Sequence, residues 1–131
     1  MINYRRTLIH GMAAAAVALM AAPGIAQAPA SNWPNKPIRY IVNFAPGGTT
    51  DILARTIGEK LGAALGQPIV VENKPGQGGS IGAAELARAA PDGYTIGAGT
   101  ISSHAINATL YDKLSYDPIT SFAPITLYAT Q

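Results

Sequence analysis

Three glycine- or serine-rich turns recur along the chain, each after a predicted strand and at the start of a predicted helix. They are Pro46-Gly47-Gly48-Thr49-Thr50-Asp51, Pro75-Gly76-Gln77-Gly78-Gly79-Ser80-Ile81-Gly82 and Gly99-Thr100-Ile101-Ser102-Ser103-His104. Strands and helices that alternate with short connections build a parallel sheet with right-handed crossovers. Parallel strands send their carboxyl ends to one edge, so all three turns should gather there, where ligands of such sheets bind. A helix start carries unpaired N–H groups and a partial positive charge. Glycine lets an anion come close to that backbone. Three such turns would form an anion cradle that needs no basic side chain.

The elements follow from spacing. Ile38 to Phe44 is apolar and β-branched apart from Arg39 and Asn43, as in a buried strand. A helix is expected from about Thr50 to Leu65, with Leu53, Ile57, Leu61 and Leu65 forming one apolar stripe. Thr49 or Thr50 is suited to cap it, Asp51 to complement its dipole, and Gly66 with Pro68 to stop it. A second strand (Ile69 to Asn73), a second helix (about Ile81 to Ala90) and a third strand (Tyr94 to Ala98) come next. A short helix near His104 to Leu110, a turn at Asp117-Pro118 and a fourth strand at Ile125 to Tyr128 complete the reading. Tyr111 and Tyr116 are expected to pack. The fold class is α/β, a mostly parallel sheet with flanking helices.

The chain opens with Arg5 and Arg6, an alanine-rich apolar stretch from Leu8 to Ala22, and small-residue cleavage sites at Ala26-Gln27-Ala28 and Ala28-Pro29-Ala30. Residues 1–30 therefore read as a cleavable export signal, cut after Ala30. The stretch is too short and too alanine-rich for an anchor across about 30 Å of hydrocarbon. Arg5-Arg6-Thr7-Leu8-Ile9 also resembles a twin-arginine signal, which leaves both the general secretory and the twin-arginine routes open. Those two arginines are the only charged residues among the first 30, so the 7 basic residues that remain balance 7 acidic ones. A balanced surface without a basic run excludes nucleic acid as an expected partner. The absence of cysteine excludes disulfides, thiolate metal sites and a lipidated N-terminal cysteine. Residues 31–131 number 101, enough for one modest core. The apolar finish at Thr126 to Gln131, with no closing helix, reads as a fragment or as an open lobe without its second half.

Two chemical motifs compete with the cradle. Gly78-Gly79-Ser80-Ile81-Gly82 matches the G-x-S-x-G nucleophile elbow, which would make Ser80 the nucleophile of an exported hydrolase with His104 as its base. Lys74 to Gln77 intervene after the strand, however, where an elbow has a sharp turn. A dinucleotide fingerprint nearly fits at Gly76 and Gly78, but Ile81 stands where its last glycine belongs. Two histidines, one in the leader, cannot build a metal site of ordinary spacing. No catalytic set, cofactor or metal is expected. For any single turn the plain alternative is a glycine that only permits a tight bend.

Several ordered segments carry a family resemblance: Trp33-Pro34-Asn35-Lys36-Pro37-Ile38-Arg39, Phe44 to Asp51, and Val71 to Gly82 come first. Ala90-Pro91-Asp92-Gly93-Tyr94-Thr95 and Tyr116-Asp117-Pro118 through Phe122-Ala123-Pro124 follow in the same order and spacing. Together they resemble the Bug family, the extracytoplasmic solute receptors of tripartite tricarboxylate transporters. The resemblance implies a two-lobed, type II periplasmic binding protein that closes on a small carboxylate and serves integral-membrane transporter subunits as a monomer. Residues 31–131 would be the N-terminal part of lobe 1. It further implies that Phe44, Pro46, Gly47, Gly48, Thr49, Thr50 and Asp51, with Gly78, Gly79, Ser80 and Gly82, form the binding loops, in which Gly48, Thr49, Thr50, Gly78, Gly79 and Ser80 hold one carboxylate through backbone N–H groups and water. Asp51 would organise the first loop, and Thr100, Ser102, Ser103 and His104 would supply ligand-selective contacts.

Overall fold

A computed structural model describes residues 32–130, so the expected export signal at residues 1–30 lies outside the described residues. Three parallel strands, β1 (Ile38–Val42), β2 (Ile69–Asn73) and β3 (Thr95–Gly97), form a sheet in the order β2-β1-β3. Tyr40 lies opposite Val71 on one side and Ile96 on the other. The central strand carries the core: Ile38, Tyr40, Ile41 and Val42 are all buried. Strand alternation sends Tyr40 and Val42 to one face and Arg39, Ile41 and Asn43 to the other.

Helix α1 (Thr49–Leu65) covers the first face, where Ala54 joins Tyr40, Val42 and Ala98 with Ile69, Val71 and Ile96 around them. The expected stripe of Leu53, Ile57, Leu61 and Leu65 is only half-buried. The residues pressed deepest are Asp51, Ala54 and Gly58. A Cβ on Gly58 would meet Ile69 Cγ2 at 3.3 Å, which shows how close the helix axis runs to the sheet. Small residues allow that approach, and the larger ones splay to its sides. The expected threonine cap is replaced by Gly48, which caps without a side-chain bond, while Thr49 and Thr50 are the first helical residues. Gly66 ends α1 in the left-handed conformation (φ 68°), as expected from its place before Pro68.

Helix α2 (Ser80–Ala87) covers the second face and is shorter than expected. Its far side packs Ala83 and Ala84 against Tyr116, with Leu114 and Phe122 alongside, so Tyr116 is a packing residue as expected. Arg39 bridges Glu72 (Nη2–Oε2 2.7 Å) and Glu85 (2.8 Å) between sheet and helix. After β3, a wide π-helical turn (Ser102–Ile106) leads into α3 (Asn107–Leu110). The Asp117 carboxylate accepts the N–H groups of Ile119 (2.7 Å) and Thr120 (2.9 Å), confirming a turn there.

The expected fourth strand does not form: residues 122–130 have no regular structure, and Ile125 and Leu127 are about four-fifths exposed (81% and 80%). A strand exists only when a neighbour takes its N–H and C=O groups. No described strand pairs with this segment. Among the described residues, no helix is long and apolar enough to cross a membrane.

Candidate functional site

The order β2-β1-β3 has the chain step from β1 to β2 on one side and return past β1 to β3 on the other. Such a reversal opens a crevice beyond the carboxyl ends of the strands. All three small-residue turns stand at that edge, and hydrogen bonds join them. Asn73 Nδ2, at the end of β2, donates to Phe44 O and to Asp51 Oδ1, each at 3.0 Å. Ser102 Oγ donates to Gly78 O at 2.9 Å. Gly79 is wedged so tightly that a Cβ would meet Asn43 Cβ at 3.2 Å, Phe44 Cζ at 3.4 Å and Ser103 Cβ at 3.4 Å.

The first turn presents free donors. The Gly47 N–H is taken by Asp51 Oδ2 (2.8 Å), and the first helical bond runs from Ile52 N to Gly48 O (3.0 Å). Among the described residues, no protein acceptor meets the N–H groups of Thr49, Thr50 or Asp51. Pro46, Gly47, Gly48 and Thr49 are exposed, whereas Phe44 and Thr50 are half-buried. Asp51 is buried and does not face outward; Arg55 Nε bonds both its oxygens at 3.1 Å. The Arg55 guanidinium, the Gly47 N–H and the Asn73 amide hold the Asp51 carboxyl down at about 2. Arg55 also matters for the crevice. An unpaired carboxylate in the first turn would repel an anion, and the guanidinium cancels that charge.

The second turn is built differently. Gly76, Gln77, Gly78 and Gly79 all have positive φ (130°, 51°, 62° and 90°), a run that only a glycine-rich segment tolerates. Its carbonyls serve the loop itself: Gly79 N bonds Gly76 O at 2.9 Å, and Ser80 N bonds Gln77 O. Gly79, Ser80 and Gly82 are buried, and Gly78 is exposed. The Ser80 hydroxyl accepts Asn107 Nδ2 at 2.8 Å. His104 Nδ1 is instead bonded to Ser103 Oγ (2.8 Å), so the serine–histidine pair that a hydrolase needs is not assembled.

The third turn is a reciprocal cap. Ser103 N donates to Thr100 Oγ1 (3.2 Å), and Thr100 N donates to Ser103 Oγ (3.1 Å), so T-x-x-S acts here as a capping box. Ser103 is fully buried, Ser102 and Thr100 half-buried. The half-buried ring of His104 lies against Phe122 (centroids 4.6 Å) and Tyr116 (6.4 Å). Burial lowers its pKa below the ordinary histidine value, so it is neutral at neutral pH. Asn43, Asn73 and Asn107 are not among the residues that the sequence singles out, yet each bonds across turns. A polar amide at the end of a buried strand is the available signal for Asn43 and Asn73.

The carboxylates here share one sign. Arg39 lowers Glu72 and Glu85 as Arg55 lowers Asp51. A depressed folded-state pKa contributes stability that is present above the ordinary carboxylate range and lost as pH falls through the folded value. His104 adds a loss of the same sign below its ordinary value near 6.5. The urea midpoint should therefore fall steadily from pH 6 towards about pH 2, and Asp51→Asn should flatten the lowest part of that curve. A midpoint independent of pH over this range would contradict the charge assignments.

A parallel sheet with helices on both faces and ligand-ready turns at its carboxyl edge is the architecture of a periplasmic binding protein lobe. Residues 53–131 match the family described as tripartite tricarboxylate transporter family receptor, and the chain belongs to that family. It is 40% identical over 109 residues to a Cupriavidus necator protein, "UPF0065 protein in gbd 5'region", covering 83% of this chain and 33% of that relative. Solved structures that share the fold include BugD, MatC and Rpa4515. The periplasmic binding protein BugD is 45% identical with TM-score 0.65, over 71% of this chain and 31% of its own. MatC from Rhodopseudomonas palustris with bound malate is 41% identical with TM-score 0.67, over 70% and 31%. Rpa4515 from R. palustris with adipate is 42% identical with TM-score 0.65, over 67% and 29%. The chain thus spans about a third of the length of the relatives it matches. The matched family is one of transporter receptors and BugD is a periplasmic binding protein, which speaks for a binding protein and against the Ser80 hydrolase.

Proposed function

We propose that this chain contributes the first part of lobe 1 of an exported receptor that binds a small di- or tricarboxylate, or a similar acid, in the periplasm. The receptor delivers its ligand, as a monomer, to integral-membrane subunits of a tripartite transporter. Residues 1–30 act as its cleavable signal, by either export route. The observation that carries the reading is the row of unpaired N–H groups at Thr49, Thr50 and Asp51, opening a 17-residue helix at the sheet's carboxyl edge with the Asp51 charge neutralised.

A carboxylate placed there gains charge-assisted hydrogen bonds of about 1.5–3 kcal/mol each. Two or three of them with added apolar contact suffice for micromolar affinity, about −8 kcal/mol. The exposed backbone of Gly48, Thr49 and Gly78 makes first contact. Ser102 and Thr100 border the ligand, while Ser80, Ser103 and Gly82 shape the floor from inside. The structures of MatC with bound malate and Rpa4515 with adipate support a dicarboxylate. The full-length gene product should gain several degrees of melting temperature from at least one member of a panel holding malate, adipate, citrate and aromatic acids. Indifference to the whole panel would refute the reading.

A further inference from the structure

We propose that Asn43, Asn73 and Asn107 are positioning residues that close a ring of hydrogen bonds around the three turns and hold their geometry without touching a ligand. Asn73 ties the root of the second turn to the first, through Phe44 O and Asp51 Oδ1 (3.0 Å each). Asn107 ties the helix after the third turn to the second, through Gly78 O (3.0 Å) and Ser80 Oγ (2.8 Å). Asn43 ties the root of the first turn to the third, through Ala98 O (3.0 Å) and Ser103 Oγ (3.3 Å). Every pair of turns is thereby linked once by an amide. Asparagine suits the task because its NH2 group has two donors on a short, stiff stem, and all three residues spend both donors on the same neighbouring turn. Asn43 and Asn107 are only 1% exposed, so no water competes for those bonds.

A ring behaves differently from three separate ties. Cutting one link leaves the turns connected through the other two; cutting both amide links that reach the third turn leaves it held to the others only by the Ser102 Oγ–Gly78 O bond. The ring bears on the carboxylate reading, since fixed N–H groups bind an anion better than mobile ones, but its test needs no ligand. Amide hydrogen exchange of the whole chain is measured for Asn107→Leu, which keeps the branched shape of the side chain, with some added bulk, and removes the donor. Exchange of the Gly79 and Thr100 N–H groups should quicken at least about tenfold, since both Asn107 donors lose their bonds, while the β1–β2 amides stay protected. Adding Asn43→Leu should quicken Thr100 by more than the product of the two single effects. In the full-length product, malate affinity should fall alongside, with sheet protection unchanged.

Quickening confined to one turn, or a double variant equal to the product of the singles, would overturn the ring. Should Asn107→Leu loosen the sheet as well, Ser102→Ala decides. It removes only the half-buried hydroxyl bond to Gly78 O, and should quicken Gly79 several-fold over an intact sheet. An unmoved Gly79 would show that the third turn does not brace the second. A product that binds no malate counts against the ligand reading alone, because the exchange rates test the ring without it.

Discussion

Gly82→Ala should lower the stability of the protein by about 2 kcal/mol, although alanine is the better helix former. Helix propensity alone favours the change by about 1 kcal/mol. Packing opposes it. A Cβ at position 82 would come within 2.6 Å of Asn43 Oδ1, 3.0 Å of Asn43 Cα and 3.0 Å of Lys74 O. Two of these are backbone neighbours, and the third belongs to a side chain 1% exposed whose amide is fixed at Ala98 and Ser103. None can withdraw without moving β1, β2 or α2. Overpacking of this kind costs about 1–3 kcal/mol, here at the upper end, so the balance is destabilising. For a domain of this size the melting temperature should drop by about 10 °C. Gly48→Ala is the control: Gly48 has φ −76°, and its Cβ would meet only Ala45 O, at 3.5 Å. Alanine caps a helix less well than glycine but is less flexible when unfolded, so this change should cost well under about 1 kcal/mol. Equal urea midpoints for Gly82→Ala and the parent would mean that α2 sits further from the sheet than described.

These contacts explain how much of the molecule is legible in the sequence. The run Ile69 to Asn73 reads as a strand with its observed bounds, because β-branched apolar residues between turn signals admit few alternatives. The three turns stand out by composition, and their shared edge follows from parallel topology. The buried face of α1 is misread for a physical reason. Periodicity weights Leu53, Ile57 and Leu61, while the closest approach is decided by where side chains are smallest, at Ala54 and Gly58. The segment from Ile125 to Tyr128 has strand composition but no described partner, and pairing is not a local property. The asparagine ties escape notice because hydrogen bonds between residues up to 60 positions apart leave no local pattern. The structure also separates two substitutions that look alike in the sequence. From composition alone, valine at Gly48 or at Gly79 should block the backbone and leave the fold intact. Gly79 has φ 90° and touches Asn43, Phe44 and Ser103, so Gly79→Val would disrupt the junction itself and report on stability.

Gly48→Val is therefore the clean probe of binding, and it should weaken malate, or whichever panel acid raises the melting temperature most, by at least tenfold in the full-length product. Position 48 has extended backbone (φ −76°, ψ 167°) that valine adopts readily, and it is exposed. The isopropyl group would stand over the start of α1, between solvent and the free N–H groups of Thr49 and Thr50. An oxygen held about 1 Å further from those donors forfeits a charge-assisted hydrogen bond, and about 1.4 kcal/mol of it is already a factor of ten. The melting temperature without ligand should fall by only a few degrees, the cost of a poorer N-cap, which separates lost binding from lost fold. Arg55→Gln approaches the same site by charge. It leaves the Asp51 carboxylate uncompensated near the helix start and should weaken the acid more at low salt than at high salt, as repulsion is screened. If Gly48→Val binds the acid as tightly as the parent, the anion does not sit on the first turn, whatever the family holds elsewhere.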